Sequence, residues 1–297
     1  MLENHHIIIG SRSSALAVRQ AEMVRDELIA HSTHLQIIIK TFQTSGDAYL
    51  LGNLSEIGNK GLFTKEIEQA LLGGAIDIAV HSMKDVATIL PDGLIIPAML
   101  PRDDVRDTLL SPHASTIATL PQNAILGTSS LRRAVQVKHL RPDINVVNYR
   151  GNVQRRLAKL EEGIVDATLL AQAGLDRLSI THPNAHPIEI TEILPAVSQG
   201  AIGMQCRSTD FAMIELLEQI NHDITHSCVS VERHLLRLLD GSCRTPIAAY
   251  ATLDKGIINL RGMIAAHDAS WLQTHQLSGL RHMGRQLAED MADFLRG

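Results

Sequence analysis

Residues 76–85 read Ile76-Asp77-Ile78-Ala79-Val80-His81-Ser82-Met83-Lys84-Asp85, an apolar run of strand length that ends in a polar, charged corner. Just upstream, Thr64 to Leu72 has helical spacing and stops at Gly73-Gly74, residues suited to the left-handed end of a helix. A helix followed at once by a short buried strand is the repeating unit of a parallel sheet covered on both faces. The preceding residues repeat the unit. His6 to Ile9 is a buried strand, and Ser13 or Ser14 caps a helix to about Ala30 that turns Leu16, Gln20, Met23, Val24 and Leu28 inward. Leu35 to Phe42 is the next strand. Asp47 to Gly61, with Gly52, Asn53, Gly58 and Asn59, has the length and composition of a lid.

Forward of the opening stretch, Pro97 to Arg106 is expected to be a hinge, after which the alternation restarts. Strands are expected at Ala124 to Thr128, Ile144 to Tyr149 and Ala167 to Ala171, with helices from Ser130 and Asn152. Ala201 to Cys206 is a further strand, followed by a helix over about Thr209 to Ile220 that can return the chain to the first domain. The tail differs. A helix from about Ile224 to Leu239 precedes strands at Ile247 to Leu253, Ile257 to Ala266 and Trp271 to Leu277, and short turns between them make an antiparallel sheet closed by a final amphipathic helix. The expected architecture is two α/β domains joined by a hinge, residues 1–100 with 200–221 and residues 101–199, plus a small α+β domain over 222–297.

Composition narrows the function. With 297 residues, 45% hydrophobic and 20% charged, the chain is globular rather than disordered or fibrous. No apolar run approaches the ~18 residues of a membrane helix, so a soluble protein with no membrane partner is expected. Met1-Leu2-Glu3-Asn4-His5-His6 has no basic segment before the first strand, so no secretory signal is expected and the protein is placed in the cytoplasm. Cys206, Cys228 and Cys243 form no C-x-x-C pair, which argues against a disulfide framework or a zinc ribbon. His182 and His186 are separated by Pro183, and His222/His226 reads as a surface helix start, so no metal is expected. Aromatics are 3% of the chain, too few for a base-stacking platform.

Charge is less simple. The net value is -5, but 20 of the 27 cations are Arg, whose planar fork matches carboxylate and phosphate. From Arg132 to Arg156 the local charge is +6, so the remainder stands at -11.

Four stretches carry candidate chemistry. His81 to Asp85 lies at the carboxyl end of a strand, where open α/β sheets place their ligands. Thr128-Ser129-Ser130-Leu131-Arg132-Arg133 is a strand-to-helix corner with hydroxyls, free N–H groups and two Arg in the first helical turn. Cations do not suit a helix N-terminus unless an anion compensates them. Arg150-Gly151-Asn152-Val153-Gln154-Arg155-Arg156 is the next such corner, and two adjacent corners of one sheet converge on an anion pocket. Leu239-Asp240-Gly241-Ser242-Cys243-Arg244-Thr245-Pro246 is a turn with an exposed chain and Arg244 beside the thiol, suited to an activated cysteine.

Together with Gly46-Asp47, Gly61-Leu62-Phe63, Ala173-Gly174-Leu175 and Gln199-Gly200-Ala201, these motifs resemble the porphobilinogen deaminase (hydroxymethylbilane synthase) family, in order and over nearly the whole chain. The resemblance implies two domains like periplasmic binding proteins and a third carrying the cofactor. It implies that Cys243 holds one dipyrromethane per chain through a thioether, and that four porphobilinogen units are joined to it in turn, each losing ammonia, before water releases the linear tetrapyrrole. Asp85 would be the catalytic carboxylate, steering protons and stabilising cationic pyrrole. Lys84 would help hold it ionised and meet a cofactor carboxylate. Arg132 and Arg133 would hold the cofactor carboxylates, and Arg12, Arg150, Arg156 and Arg177 the incoming ring and growing chain. Ser14, Ser82, Thr128, Ser129, Ser130, Gly151, Gln199 and Gly200 would complete the binding surface. A monomer is implied. The chain departs from the family's commonest pattern at Glu56, Ala87, Ser198, Gln205 and Ser242, where a basic residue, Pro, Gly, Glu and Gly respectively are frequent.

Two other classes suit parts of the pattern. A hinge-bending binding module for an anionic small molecule would also use two α/β lobes, but it requires export and leaves Cys243 without a role. A nucleic-acid binder using residues 132–156 would show steep salt dependence, and the scarcity of aromatics counts against it.

Overall fold

The computed structural model describes residues 6–44, 63–239 and 245–297, so the expected lid over Asp47 to Gly61 and the residue Cys243 lie outside the described residues. In chain order the elements begin with β1 (His6–Arg12), α1 (Ala15–His31), β2 (Gln36–Phe42), α2 (Lys65–Leu72), β3 (Ile78–Ser82) and β4 (Leu94–Met99). Then come β5 (Asp107–Leu110), β6 (Ile125–Gly127), α3 (Leu131–Leu140), β7 (Asn145–Val147), α4 (Val153–Glu161), β8 (Ala167–Ala171), α5 (Gln172–Arg177) and β9 (Ala185–Pro187). The last are β10 (Ile202–Arg207), α6 (Phe211–Glu218), α7 (Asp223–Leu238), β11 (Ile247–Asp254), β12 (Ile257–Ala265), β13 (Leu272–Leu280) and α8 (Gly284–Arg296). Among the described residues no helix is long and apolar enough to cross a membrane.

The chain divides into two compact units, Met1–Asp103 with Ala201–His226 and Asp104–Gly200 with Ser227–Gly297. The first holds a sheet in the order β2-β1-β3-β10-β4. Period-two alternation sorts its side chains: Ile7 and Ile9 join Val24 and Leu28 of α1 and Leu217 of α6 on one face, while Ala79 meets Ile67 and Leu71 of α2 on the other. Ser14 caps α1 through its side chain, and Gly74, at φ 71°, follows the stop of α2.

The second unit repeats the plan as β7-β6-β8-β5-β9, with Leu126, Val137 and Leu169 on one face and Tyr149, Leu160 and Leu170 on the other. It also carries the antiparallel sheet β11-β12-β13, which packs Ala249 and Leu260 against Leu235 of α7 and Met291 of α8. Ala248 and Met263 of that sheet also touch Val135 of α3.

Two expectations are corrected. The five-stranded sheets are mixed rather than parallel: β10 runs antiparallel to β3 and β4, and β5 antiparallel to β8 and β9. Each inserted strand arrives from a distant part of the chain, so no local βαβ crossover dictates its direction. The expected hinge from Pro97 is in part strand, since β4 continues through Pro97 to Met99. Pro97 sits on an edge strand beside the register shift between Met204 and Cys206, where its missing N–H costs no regular ladder bond.

Candidate active site

In the first unit β3 delivers the chain into a single 3₁₀ turn, Met83–Asp85. Met83 fixes that turn. Its N–H donates to the Ala201 carbonyl at 3.0 Å, and its buried side chain lies over Gly203 of β10, where any Cβ would collide with the sulfur. Asp85 follows with a side chain 33% exposed, and its Oδ2 lies 3.8 Å from Arg12 Nη1 at the end of β1. The Arg12 guanidinium also sits 4.5 Å above the Phe63 ring, within cation–π range. Lys84 lies inside the turn.

A buried polar chain runs beneath. His81 Nε2 meets Gln205 Oε1 at 3.0 Å, Gln205 Nε2 donates to Glu68 Oε1 at 3.2 Å, and Thr64 Oγ1 donates to Glu68 Oε2 at 3.1 Å. An amide oxygen only accepts, so His81 carries its proton on Nε2. Burial pulls its imidazole down to about 4, against the bond from Gln205, and Arg12 adds to the lowering. Ser82 exchanges hydrogen bonds with Gln20 of α1 at 2.8 and 3.0 Å, so its hydroxyl is committed to locking the strand to that helix.

The second unit holds the arginines. Asp107, the first residue of β5, is completely buried; its Oδ2 receives Arg132 Nη1 and its Oδ1 receives Arg133 Nη2, each at 2.7 Å. Arg132 also donates to the Leu194 carbonyl and Arg133 to the Leu169 carbonyl, both at 2.8 Å. Gln199 Nε2 completes the carboxylate at 2.9 Å and reaches the Val105 carbonyl at 2.8 Å. Burial alone would push the Asp107 carboxyl up, but Arg132 and Arg133 hold it well below the usual carboxylate range. Neither arginine is exhausted by these contacts: the buried Nε of Arg132, of Arg133 and of Arg150 has no hydrogen-bond partner among the described residues.

The adjacent corner brings more charge. Tyr149 packs its ring where a side chain on Gly127 would stand, and its hydroxyl donates to the Arg156 carbonyl at 2.6 Å. Arg156 Nε donates to the Gly151 carbonyl at 2.9 Å. Burial, with Arg133 and then Arg150 nearby, pulls the Arg156 guanidinium down to about 10, so it stays charged at neutral pH. Ser130 caps α3 by accepting the Arg133 N–H, Thr128 Oγ1 accepts the Ser130 N–H, and Ser129 accepts the Tyr149 N–H at 3.0 Å while donating to Asn148. Arg177 lies on α5 and donates to the Gly200 carbonyl at 2.7 Å.

Among the expected residues, then, Arg12 and Asp85 are brought together in one unit, and Arg132, Arg133, Arg150, Arg156 and Gln199 in the other. Ser129 and Ser130 serve the corners themselves. Sequence reasoning missed Asp107, which lies just past the expected hinge, and Gln136, which donates to the Leu194 carbonyl beside Arg132. The only local signal for Asp107 was a charge opening the apolar run Thr108-Leu109-Leu110. His222 and His226 behave as helix-start residues: His222 Nδ1 accepts the Thr225 N–H at 3.3 Å.

Residues 7–215 match the family model described as porphobilinogen deaminase, dipyromethane cofactor binding domain, and residues 226–293 match the model for the porphobilinogen deaminase C-terminal domain. A chloroplastic porphobilinogen deaminase of Oryza sativa subsp. japonica is 51% identical over 89% of this chain and 75% of its own length. The porphobilinogen deaminase of Nitrobacter hamburgensis is 48% identical over 97% and 92%, and that of Paracoccus denitrificans 47% over 98% and 94%. Among solved structures, the L-cystine solute receptor of Neisseria gonorrhoeae aligns with a TM-score of 0.42 at 13% identity, over 74% of this chain and 86% of that one. With two family models spanning almost all of its residues and relatives near half identity over nearly full length, the chain belongs to the porphobilinogen deaminase family.

Proposed function

We propose that this protein joins four porphobilinogen molecules head to tail, releasing one ammonia for each, and frees the linear hydroxymethylbilane with water. The observation that carries this reading is the second unit's arginine cluster. One carboxylate, Asp107, is shared by two of the arginines that meet there and offsets only one of their charges, and three buried Nε–H groups still lack a partner among the described residues. A buried donor left unsatisfied is costly, so the cluster is built for an incoming anion. Porphobilinogen and every oligomer made from it carry an acetate and a propionate on each ring, which suits such a cluster.

The same observation fits the family's cofactor. A dipyrromethane attached at Cys243 would supply the free pyrrole carbon to which the first ring is joined, each later ring being joined to the one before it. Arg132 and Arg133 would hold its carboxylates, their forks being oriented by Asp107 and the Leu194 and Leu169 carbonyls. Arg150 and Arg156 receive carboxylates of the incoming ring and growing chain, and Arg177 and Arg12 serve the same purpose from their own elements. Asp85 moves the protons. Loss of ammonia needs a proton at the leaving amine, and formation of each carbon–carbon bond releases one from the ring; a carboxylate beside the ring nitrogens handles both and stabilises positive charge between them. Arg12, 3.8 Å away and only partly buried, holds Asp85 in place without closing it off. Residues 1–100 with 200–221, 101–199 and 222–297 act as the three domains of this machine, in a cytoplasmic monomer.

Mass spectrometry of the intact protein tests the assignment. The expected result is a mass above that of the sequence by one dipyrromethane, moved to a Cys243 peptide on digestion, with ladders of added rings when porphobilinogen is supplied. A bare polypeptide mass with a freely alkylated Cys243 in an active preparation would sink it.

A further inference from the structure

Glu232 is completely buried on α7, and the condensation chemistry gives it no part. Its Oε2 accepts the backbone N–H of Ser198 at 2.7 Å and its Oε1 the backbone N–H of Ala251, on β11, at 2.8 Å. Ser198 needs such support. Its φ is 64°, in the left-handed region where a Cβ crowds the carbonyl, and its buried hydroxyl has no hydrogen-bond partner among the described residues. Both features disfavour the conformation that Ser198 adopts; the short bond to Glu232 favours it.

The next two residues show why the conformation of Ser198 matters. Gln199 donates to Asp107 Oδ1 at 2.9 Å, and the same carboxylate orients Arg132 and Arg133 at 2.7 Å. Gly200, also left-handed at φ 83°, presents its carbonyl to Arg177 at 2.7 Å. Behind the arginine pair, Val135 of α3 packs on Ala248 of β11, three residues before the Ala251 that Glu232 binds. One buried carboxylate thus touches both the turn that sets Asp107 and the strand that backs the arginine helix.

We propose that Glu232 is a positioning residue: it holds the Ser198-Gln199-Gly200 turn in its left-handed form and through Gln199 and Asp107 keeps Arg132 and Arg133 aimed at their anion. The proposal rests on the assignment of those arginines to the cofactor carboxylates. It gives Glu232→Gln a sharp meaning. The side chain keeps its shape but turns one acceptor into an NH₂ group that faces a backbone N–H. Ser198→Gly removes both the strain and the orphan hydroxyl, so it relieves the demand on residue 232.

The test expresses full-length variants and measures, on the same samples, the fraction of chains carrying the dipyrromethane mass and the thermal midpoint. In Glu232→Gln that fraction should fall about tenfold, the scale of losing one hydrogen bond to a charged group. Ser198→Gly alone should raise the midpoint, and Ser198→Gly in the Glu232→Gln background should restore most of the loading. Full loading in Glu232→Gln overturns the proposal, as does a loss that Ser198→Gly leaves untouched, or failure of both Glu232→Gln proteins, single and double, to fold. Arg133→Gln, run alongside, separates the two levels. Full loading there defeats the cofactor assignment itself, whereas loss with Arg133→Gln and none with Glu232→Gln defeats only the role of Glu232.

Discussion

The two five-stranded sheets share one plan, a strand between two parallel neighbours and then an antiparallel insertion, yet each uses a carboxylate differently. Asp85 follows β3 in a turn, one third exposed, with its Arg12 partner at the loose distance of 3.8 Å. Asp107 opens β5, has no exposure at all, and is gripped by two arginines at 2.7 Å. Asp85, the carboxylate proposed to trade protons, is left near water with a weak pair worth about 0–1 kcal/mol. A carboxylate that must aim cations is sealed in, where removing a partner costs about 3–5 kcal/mol. Under the proposed function, proton transfer falls to the first unit and the aiming of the cofactor-binding arginines to the second.

Substitution at each carboxylate challenges that division most directly. Asp85→Asn should lower kcat by about 10²–10⁴-fold, the range for a proton-transfer group, while intact-mass measurement still finds the cofactor attached and thermal unfolding is nearly unchanged. Asp107→Asn should do the reverse in kind. It leaves two buried arginines short of a counter-charge, so chemical denaturation should show a loss of about 3–5 kcal/mol, with cofactor loading reduced as well. A loaded, stable Asp107→Asn protein would erase the division.

Acid probes the same contrast. The folded-state value for His81, about 4, lies below its ordinary 6.5, so between those limits the unfolded chain binds more protons than the folded one. Stability contributed by the neutral ring is present above 6.5 and is lost as pH falls toward 4, by an amount on the order of 3 kcal/mol. Urea titrations at several pH values should show this slope, and His81→Gln should flatten it. Asp107, held low by its arginines, keeps its contribution through that window and gives it up only in stronger acid. The smallest effect is expected at Phe63. Phe63→Leu removes a cation–π contact worth about 0.5–1 kcal/mol and should raise KM a few-fold at most, with kcat little changed.

Much of this was legible in the amino-acid order. Strong period-two and helical spacing located β1, α1, α3 and the strands of the C-terminal sheet within a few residues, and the Ser130 and Asn152 caps were readable as helix starts. Directions were not: β10 has the same alternation whether it runs parallel or antiparallel to its neighbours, and only its partners on β3 and β4 decide. Short strands escaped for a different reason. β5 and β9 have four and three residues and, unlike the equally short β6 and β7, no capped helix follows to mark them. In the site, the arginines announced themselves by being charged at a helix start, but their counter-ion lies 25 and 26 positions away and became visible only when the fold brought it in. Gln199 was marked by resemblance alone, and its bond to Asp107 gives that mark a physical content.

The interleaving of β10 bears on how the protein is synthesised. That strand sits between β3 and β4, and it is encoded after residues 104–200 have been made. A nascent chain that has emerged only through Asp103 therefore exposes two open strand edges, one of them the apolar Ile78-Ala79-Val80 stretch, ready to pair with any other strand it meets. The first sheet cannot close until β10 has emerged. Ribosome-bound intermediates stalled before Ile202 should bind chaperones and aggregate, and those released past Arg207 should not.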